Sequence, residues 1–127
     1  AICEYAKKTF DSDFIFVTHF PSSKPPFYAM NSREDSRLAY KFDLLFRGLE
    51  ITSGGQRIHD YQEQLDKMHA QGLDPEDFKY YLEAHKYGLP PHGGLGIGLE
   101  RLVMKVLGLS NVRQASMFPR DINRLLP

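Results

Sequence analysis

The sequence predicts a mixed α/β (α+β) fold in which helices flank an antiparallel sheet. Two local patterns carry this prediction: a pair of strand-like segments separated by Arg47-Gly48, and three segments with apolar residues at helical spacing. The composition is 42% hydrophobic and 13% aromatic, which is typical of a chain with a packed core. A chain of 127 residues is one domain or part of one.

Charge and cysteine content exclude some classes of protein. The 16 Lys and Arg residues balance 16 Asp and Glu residues, so this chain alone lacks the cationic excess of a strong nucleic-acid binder. The single Cys3 excludes an internal disulfide and suits a reducing compartment. No apolar run reaches membrane-spanning length and no signal-like segment is present, so we expect a cytoplasmic protein with no membrane partner.

The first two elements are a helix and a strand. Residues 1–8 resemble the end of a helix, and the missing N-cap leads us to expect further sequence upstream. Residues 14–20 are β-branched or aromatic, which predicts a strand that stops at Pro21. The almost unbroken apolar character of this strand predicts a central position, covered on both faces.

A hairpin follows, with strands at 41–46 and 49–52 and a two-residue turn between them. This register pairs Leu45 with Glu50 and Asp43 with Thr52. Asp43 and Glu50 then become diagonal neighbours on one face, roughly 7–8 Å apart. Two carboxylates at that separation can share divalent cations with phosphate oxygens between them. The alternative is a pair of solvated acids on an exposed face.

The second strand is expected to continue through Gly54-Gly55-Gln56-Arg57-Ile58-His59-Asp60. We expect a bulge at the double glycine, which would redirect Arg57 from the face opposite Glu50. An arginine on a sheet beside Gln56 suits bidentate recognition of a carboxylate. The alternative is an internal salt bridge between Arg57 and a nearby acid.

Two helices carry little chemistry. Asp60 and Glu63 predict a capping box, followed by a buried face of Tyr61, Leu65 and Met68. Asp74-Pro75 predicts the start of the next helix, with an inner face of Phe78, Tyr81, Leu82 and His85. No metal-ligand spacing joins His69 and His85, so we interpret both as packing or surface residues.

A glycine-rich strand turns into the last helix between His92 and Arg101. Glycine allows a flat or charged ligand to approach the backbone, and Arg101 on the first helical turn can stack on a ring or hold a phosphate. The alternative is a tight turn with a surface arginine. The run Leu99, Leu102, Val103, Val106 and Leu107 predicts a buried helix that Gly108 ends. Neither the P-loop lysine nor the third glycine of a dinucleotide fingerprint is present.

Three ordered blocks carry a resemblance to a known family. They are Ser53–Asp60, with Gly55 where the family more often has alanine, then Gly94–Arg101, and then Met117–Asp121. From about Phe14 onward they resemble the C-terminal part of a class II aminoacyl-tRNA synthetase catalytic domain, of the aspartyl-tRNA synthetase family found in archaea and eukaryotes. The resemblance implies that residues 1–127 are the C-terminal portion of that domain. It also implies an antiparallel class II synthetase-type sheet.

The resemblance implies a role for each candidate residue. Arg101 would stack on the adenine of ATP and contact its phosphates, above a floor formed by Gly96 and Gly98. Asp43 and Glu50 would hold Mg²⁺ on the phosphates, with Ser53 beside them. Arg57 would grip the side-chain carboxylate of aspartate, next to Gln56. The residues themselves suggest two more roles: Met117 and Phe118 could close the back of the pocket, and Arg120 could reach a ligand or pair with Asp121.

The implied activity is the ATP-dependent activation of aspartate to aspartyl-adenylate and its transfer to tRNA, by a homodimeric full-length enzyme. The family's motifs 1 and 2 and its anticodon-binding barrel have no counterpart in these residues, so we expect the chain alone to be inactive. One alternative is an asparagine synthetase paralogue that amidates aspartyl-adenylate, and another is a non-catalytic synthetase-like binding module. An asparaginyl-tRNA synthetase is disfavoured by Ile58-His59-Asp60, which that family usually lacks.

Overall fold

A computed structural model describes residues 1–24 and 26–125. The elements, in chain order, are α1 (Ile2–Phe10), β1 (Phe14–Pro21), β2 (Leu38–Phe46), β3 (Leu49–Arg57), α2 (Tyr61–Ala70), α3 (Lys79–Lys86), β4 (His92–Ile97) and α4 (Leu99–Leu107). Short 3₁₀ turns lie at Pro75–Phe78 and Val112–Ala115. The strands form one antiparallel sheet in the order β1-β2-β3-β4, which confirms the predicted fold class.

The turn of the β2–β3 hairpin is also confirmed. Arg47 and Gly48 both have positive φ angles, of 45° and 83°, as a two-residue type I′ turn requires.

The chain divides into two compact units. The first unit is Ala1–Val17, Asp43–Ser53 and Gly96–Pro127, and the second is Thr18–Phe42 and Gly54–Leu95.

The core of the second unit includes Met30, Ile58, Met68 and Leu82, all buried. It also contains the fully buried Gln64, whose side chain donates to the Phe27 carbonyl at 2.9 Å and accepts from the Tyr81 hydroxyl at 3.3 Å. The predicted burial of Leu82 and His85 is confirmed. For α2 the prediction was wrong in part: Tyr61 and Leu65 are only half-buried, and Gln64 lies inside with Met68. The polar Gln64 can be buried because both ends of its amide have partners.

The predicted capping box of α2 forms only in half. The Asp60 side chain accepts from the Glu63 backbone N–H at 2.8 Å, as expected of an N-cap. The Glu63 carboxylate pairs instead with Arg33, at 2.9 Å. The Glu63 side chain therefore forms an ion pair with a residue far away in sequence and does not complete the capping box with Asp60.

The segment Ala29–Asn31 makes backbone hydrogen bonds to both β2 and β3. The Met30 N–H donates to the Gln56 carbonyl at 3.0 Å, and the Met30 carbonyl accepts from the Tyr40 N–H at 2.9 Å. Antiparallel bridges join Ala29 to Arg57 and Asn31 to Ala39. Past its two glycines, β3 is therefore paired with this segment. The strand ends at Arg57 and not at Asp60 as predicted, and the bulge expected at the two glycines stays a prediction.

Two expectations about burial were wrong. β1 is an edge strand of the described sheet, and its Phe14 and Phe16 are 46% and 60% exposed. No residue of α4 is buried by the described chain, although the helix begins and ends where predicted. Met117 and Phe118 are exposed in the described structure, and their closing of a pocket stays a prediction. The apolar pattern sets which face is hydrophobic, and only tertiary structure decides whether another element covers that face.

Near the C-terminal end, Asp121 forms an ion pair with Arg113, at 3.0 Å. No pair between Asp121 and Arg120 is found among the described residues, so of the two alternatives for Arg120 the contact with a ligand stays a prediction. Within residues 1–24 and 26–125, no helix is long and apolar enough to cross a membrane.

Candidate functional site

The first unit brings Arg101 to the β2–β3 hairpin. Gly98 is the N-cap of α4, and its N–H donates to the Ile51 carbonyl of β3 at 2.8 Å. One turn later, Arg101 Nη1 donates to the Glu50 carbonyl at 3.1 Å and lies 3.9 Å from Glu50 Oε1. Both side chains are about half exposed. Because a guanidinium has five N–H donors, most of Arg101's donors remain available for phosphate oxygens.

The other end of α4 is tied to the same hairpin. Arg47 Nη1 donates to the Lys105 carbonyl near the end of α4, at 3.1 Å. Arg47 Nε and Nη2 also contact Asp13 Oδ2, at 3.1 and 3.0 Å. The hydrogen bond from Arg47 holds the pKa of Asp13 below its usual value. These contacts fix α4, and with it Arg101, against the strand that carries Glu50.

Gly96 lies in open space within the described structure. A Cβ placed on it meets no atom within 4 Å, and its φ angle is not positive. By contrast, a Cβ on Gly98 would lie 3.3 Å from Cδ of Arg101. Neither the backbone conformation nor a neighbouring atom therefore requires glycine at position 96. The space beside it is available to a ligand.

Asp43 and Ser53 are the remaining predicted residues of the first unit. Asp43 lies on β2 and Ser53 on β3, and both are half-buried. The confirmed hairpin turn supports the register that pairs Asp43 with Thr52, but the closeness of Asp43 and Glu50 stays a prediction. Among the described residues no three His, Cys, Asp or Glu side chains group as metal ligands. Two carboxylates still suit Mg²⁺, because this ion is usually held by one or two carboxylates together with substrate phosphates and water.

Arg57 lies in the second unit, at the end of β3. Its guanidinium carbon is 4.7 Å from the centre of the Tyr28 ring. In the described part of the chain Arg57 makes no ion pair with a carboxylate, so the alternative of an internal salt bridge was wrong. A partly buried guanidinium without a counter-ion is suited to bind a carboxylate from outside the chain.

A cavity of about 670 Å³ opens in the second unit. Gln56 lines it, together with Phe42, Leu95 and the backbone at Gly94, whereas Arg57 is not among the lining residues. Arg57 does lie against Gly94: a Cβ there would be 3.0 Å from Nε and 3.1 Å from Nη2. Arg57 therefore packs against a residue of the cavity wall but does not itself line the cavity.

The two glycines of β3 have a steric role that the sequence did not indicate. A Cβ on Gly54 would lie 2.6 Å from the Gly94 carbonyl oxygen, and one on Gly55 would lie 2.4 Å from the Tyr40 carbonyl oxygen. Neither glycine has a positive φ angle. Glycine is needed here because the neighbouring backbone lies so close.

Tyr28 and Gly94 are candidate residues that the sequence did not reveal. Tyr28 belongs to a loop whose sequence has no functional motif, and only the pairing of Ala29 with Arg57 brings it to the guanidinium. Gly94 is the first residue of the glycine-rich block Gly94–Arg101, but only the structure shows that it lies against Arg57.

Known proteins are similar to this chain in sequence and in structure. Aspartate--tRNA(Asp/Asn) ligase of Thermus thermophilus is 59% identical over 124 residues, covering 98% of this chain and 29% of that protein. The structure of aspartyl tRNA synthetase from Entamoeba histolytica superposes with a TM-score of 0.94 at 41% identity, covering 99% of this chain and 26% of the other. Asparaginyl-tRNA synthetase from Pyrococcus horikoshii gives a TM-score of 0.84 at 38% identity, covering 90% and 27%.

The antiparallel sheet, with its last strand leading into an arginine-bearing helix, is therefore the class II synthetase fold. The family described as tRNA synthetases class II (D, K and N) matches residues 1–122. The chain belongs to this family, and the resemblance to aspartyl-tRNA synthetases is confirmed. It spans less than a third of the length of each of the three relatives.

Proposed function

We propose that this chain supplies part of the active site of an aspartate–tRNA ligase. The observation that carries the proposal is Arg57, which is partly buried and has no carboxylate partner among the described residues. The sequence similarity to aspartate--tRNA ligases supports the same conclusion. The chain spans less than a third of the length of its relatives, and in the proposal other residues of a full-length enzyme complete the site. We expect the chain alone to be inactive.

The reaction begins when an α-carboxylate oxygen of aspartate attacks the α-phosphorus of ATP. A new oxygen–phosphorus bond forms, and pyrophosphate leaves. Arg101 would stack on the adenine and contact the phosphates, with Gly96 and Gly98 beneath the nucleotide and Ser53 beside the phosphates. Asp43 and Glu50 would hold Mg²⁺, which neutralises charge on the phosphates. Most of the catalysis is then positioning and charge stabilisation. In the second step a hydroxyl of the terminal tRNA ribose attacks the aspartyl carbonyl, an ester bond forms, and AMP leaves as the mixed anhydride breaks.

Arg57 would select aspartate as the amino-acid substrate. A carboxylate forms a charge-assisted, bidentate pair with a guanidinium, whereas the neutral amide of asparagine does not. Losing this contact should cost on the order of 2–4 kcal/mol, or roughly 30- to 1,000-fold in kcat/KM for aspartate. Gln56, exposed at the edge of the cavity, would contact the substrate beside it.

The proposal is tested by ATP–pyrophosphate exchange on the full-length protein, with aspartate and then asparagine. We expect aspartate-dependent exchange in the wild type and a loss of roughly 30- to 1,000-fold in Arg57→Ala. Arg57→Lys should recover little activity, because an ammonium group cannot make the bidentate pair. Arg37→Ala is the matched control, since Arg37 is an exposed arginine of the same unit that pairs with Asp35 on the surface. Equal exchange with both amino acids, or none with either, would refute the proposal.

The asparagine synthetase paralogue shares the first step, so Arg57 does not distinguish it. Adding tRNA or ammonia to the exchange reaction does: a ligase forms aspartyl-tRNA, and the paralogue forms asparagine. A folded protein that shows no exchange but binds a protein partner would support the non-catalytic module. We also expect the full-length enzyme to be a cytoplasmic homodimer, which light scattering and cell fractionation would check.

A further inference from the structure

The guanidinium of Arg57 is bounded by two groups of the second unit. The Tyr28 ring lies 4.7 Å from its central carbon, within the range of a cation–π contact. The backbone at Gly94 lies so close that an added Cβ would be 3.0–3.4 Å from Nε, Nη2 and Cζ. An arginine packed against a ring keeps its N–H groups in its own plane, where they remain free to meet a carboxylate.

Tyr28 is itself firmly held. Its carbonyl accepts from the Ile58 N–H at 2.9 Å, and the next residue, Ala29, bridges to Arg57. Phe27 also contacts the Tyr28 ring edge-on, with the ring centres 5.5 Å apart, and it packs on Phe78 with the ring centres 4.9 Å apart. The ring is therefore set by backbone pairing and by an aromatic cluster, and it can hold the arginine in one orientation.

We propose that Tyr28 is a positioning residue for amino-acid selection, which orients the Arg57 guanidinium by cation–π contact while Gly94 leaves room for it. The inference rests on the proposed function, because it assigns the choice of aspartate over asparagine to the orientation of Arg57. Tyr28 acts on the substrate only through the arginine. A change at Tyr28 should therefore alter recognition of aspartate and leave recognition of ATP intact.

The test uses Tyr28→Phe and Tyr28→Leu in the full-length enzyme, assayed by ATP–pyrophosphate exchange. Phenylalanine keeps the ring and loses only the hydroxyl, so we expect the KM for aspartate within about 2-fold of wild type. Leucine keeps the apolar character and loses the ring, so we expect that KM to rise roughly 5- to 30-fold. The KM for ATP should be unchanged in both variants. Preference for aspartate over asparagine should fall only with leucine.

Gly94→Ala tests the same idea independently of how well Tyr28→Leu folds. Its Cβ would lie 3.0 Å from Arg57 Nε, so the guanidinium must move, and the KM for aspartate should rise without a change in that for ATP. The inference would be overturned if Tyr28→Phe and Tyr28→Leu had equal effects, or if the KM for aspartate and the KM for ATP rose in parallel. In either case, aspartate-dependent exchange in the wild type would still support the proposed function. A wild-type enzyme without that exchange would refute both.

Discussion

Gly96→Ala separates a role in ligand binding from a role in folding. No atom lies within 4 Å of the Cβ it would add, and Gly96 does not have a positive φ angle. A glycine-to-alanine change at such a position stabilises a protein by about 0.4–1 kcal/mol, because the unfolded chain loses conformational freedom. If the nucleotide lies on this strand, the new methyl group crowds it at a cost of about 1–3 kcal/mol. The KM for ATP should then rise roughly 5- to 150-fold.

Gly54→Ala is the matched control for this experiment, because it makes the same substitution on the neighbouring strand, β3. Its Cβ would lie 2.6 Å from the Gly94 carbonyl oxygen and 2.7 Å from Cβ of Leu95, so the strands must separate. We expect a loss of about 1–3 kcal/mol of stability, measured by thermal and urea unfolding of the full-length protein. The reasoning is refuted if Gly96→Ala leaves the KM for ATP unchanged, or if it destabilises the protein as much as Gly54→Ala.

Two further predictions concern stability. The pKa of Asp13 is held down by its hydrogen bond from Arg47, so its stabilising contribution is complete above the unfolded-state pKa of about 4 and is lost as the pH falls below it. The difference in unfolding free energy between wild type and Asp13→Asn should therefore shrink on acidification, and a difference that grows would contradict this account. Asp60→Ala should lower stability by about 1 kcal/mol through loss of the N-cap of α2, whereas Asp66→Ala on the same helix should have little effect in the same thermal unfolding assay. Equal losses would show that the cap is unimportant.

The sequence by itself determined those features that depend on a few neighbouring residues. The turn at Arg47-Gly48, the N-cap at Asp60 and the helix end at Gly108 all lie where predicted, because turns and caps are set by local backbone chemistry. The position of Arg101 on the first turn of α4 follows from the same local rules.

Only the tertiary structure decided what surrounds these elements. The aromatic strand β1 is an edge strand, and no residue of α4 is fully buried by the described chain, because a hydrophobic pattern does not specify which element covers it. The same distinction between local and tertiary features applies to the candidate site. Motifs predicted Arg57, but its contact with Tyr28 depends on hydrogen bonds that place Ala29–Asn31 against β3. Pairing between segments far apart in sequence is fixed by packing of the whole fold, and no local pattern encodes it.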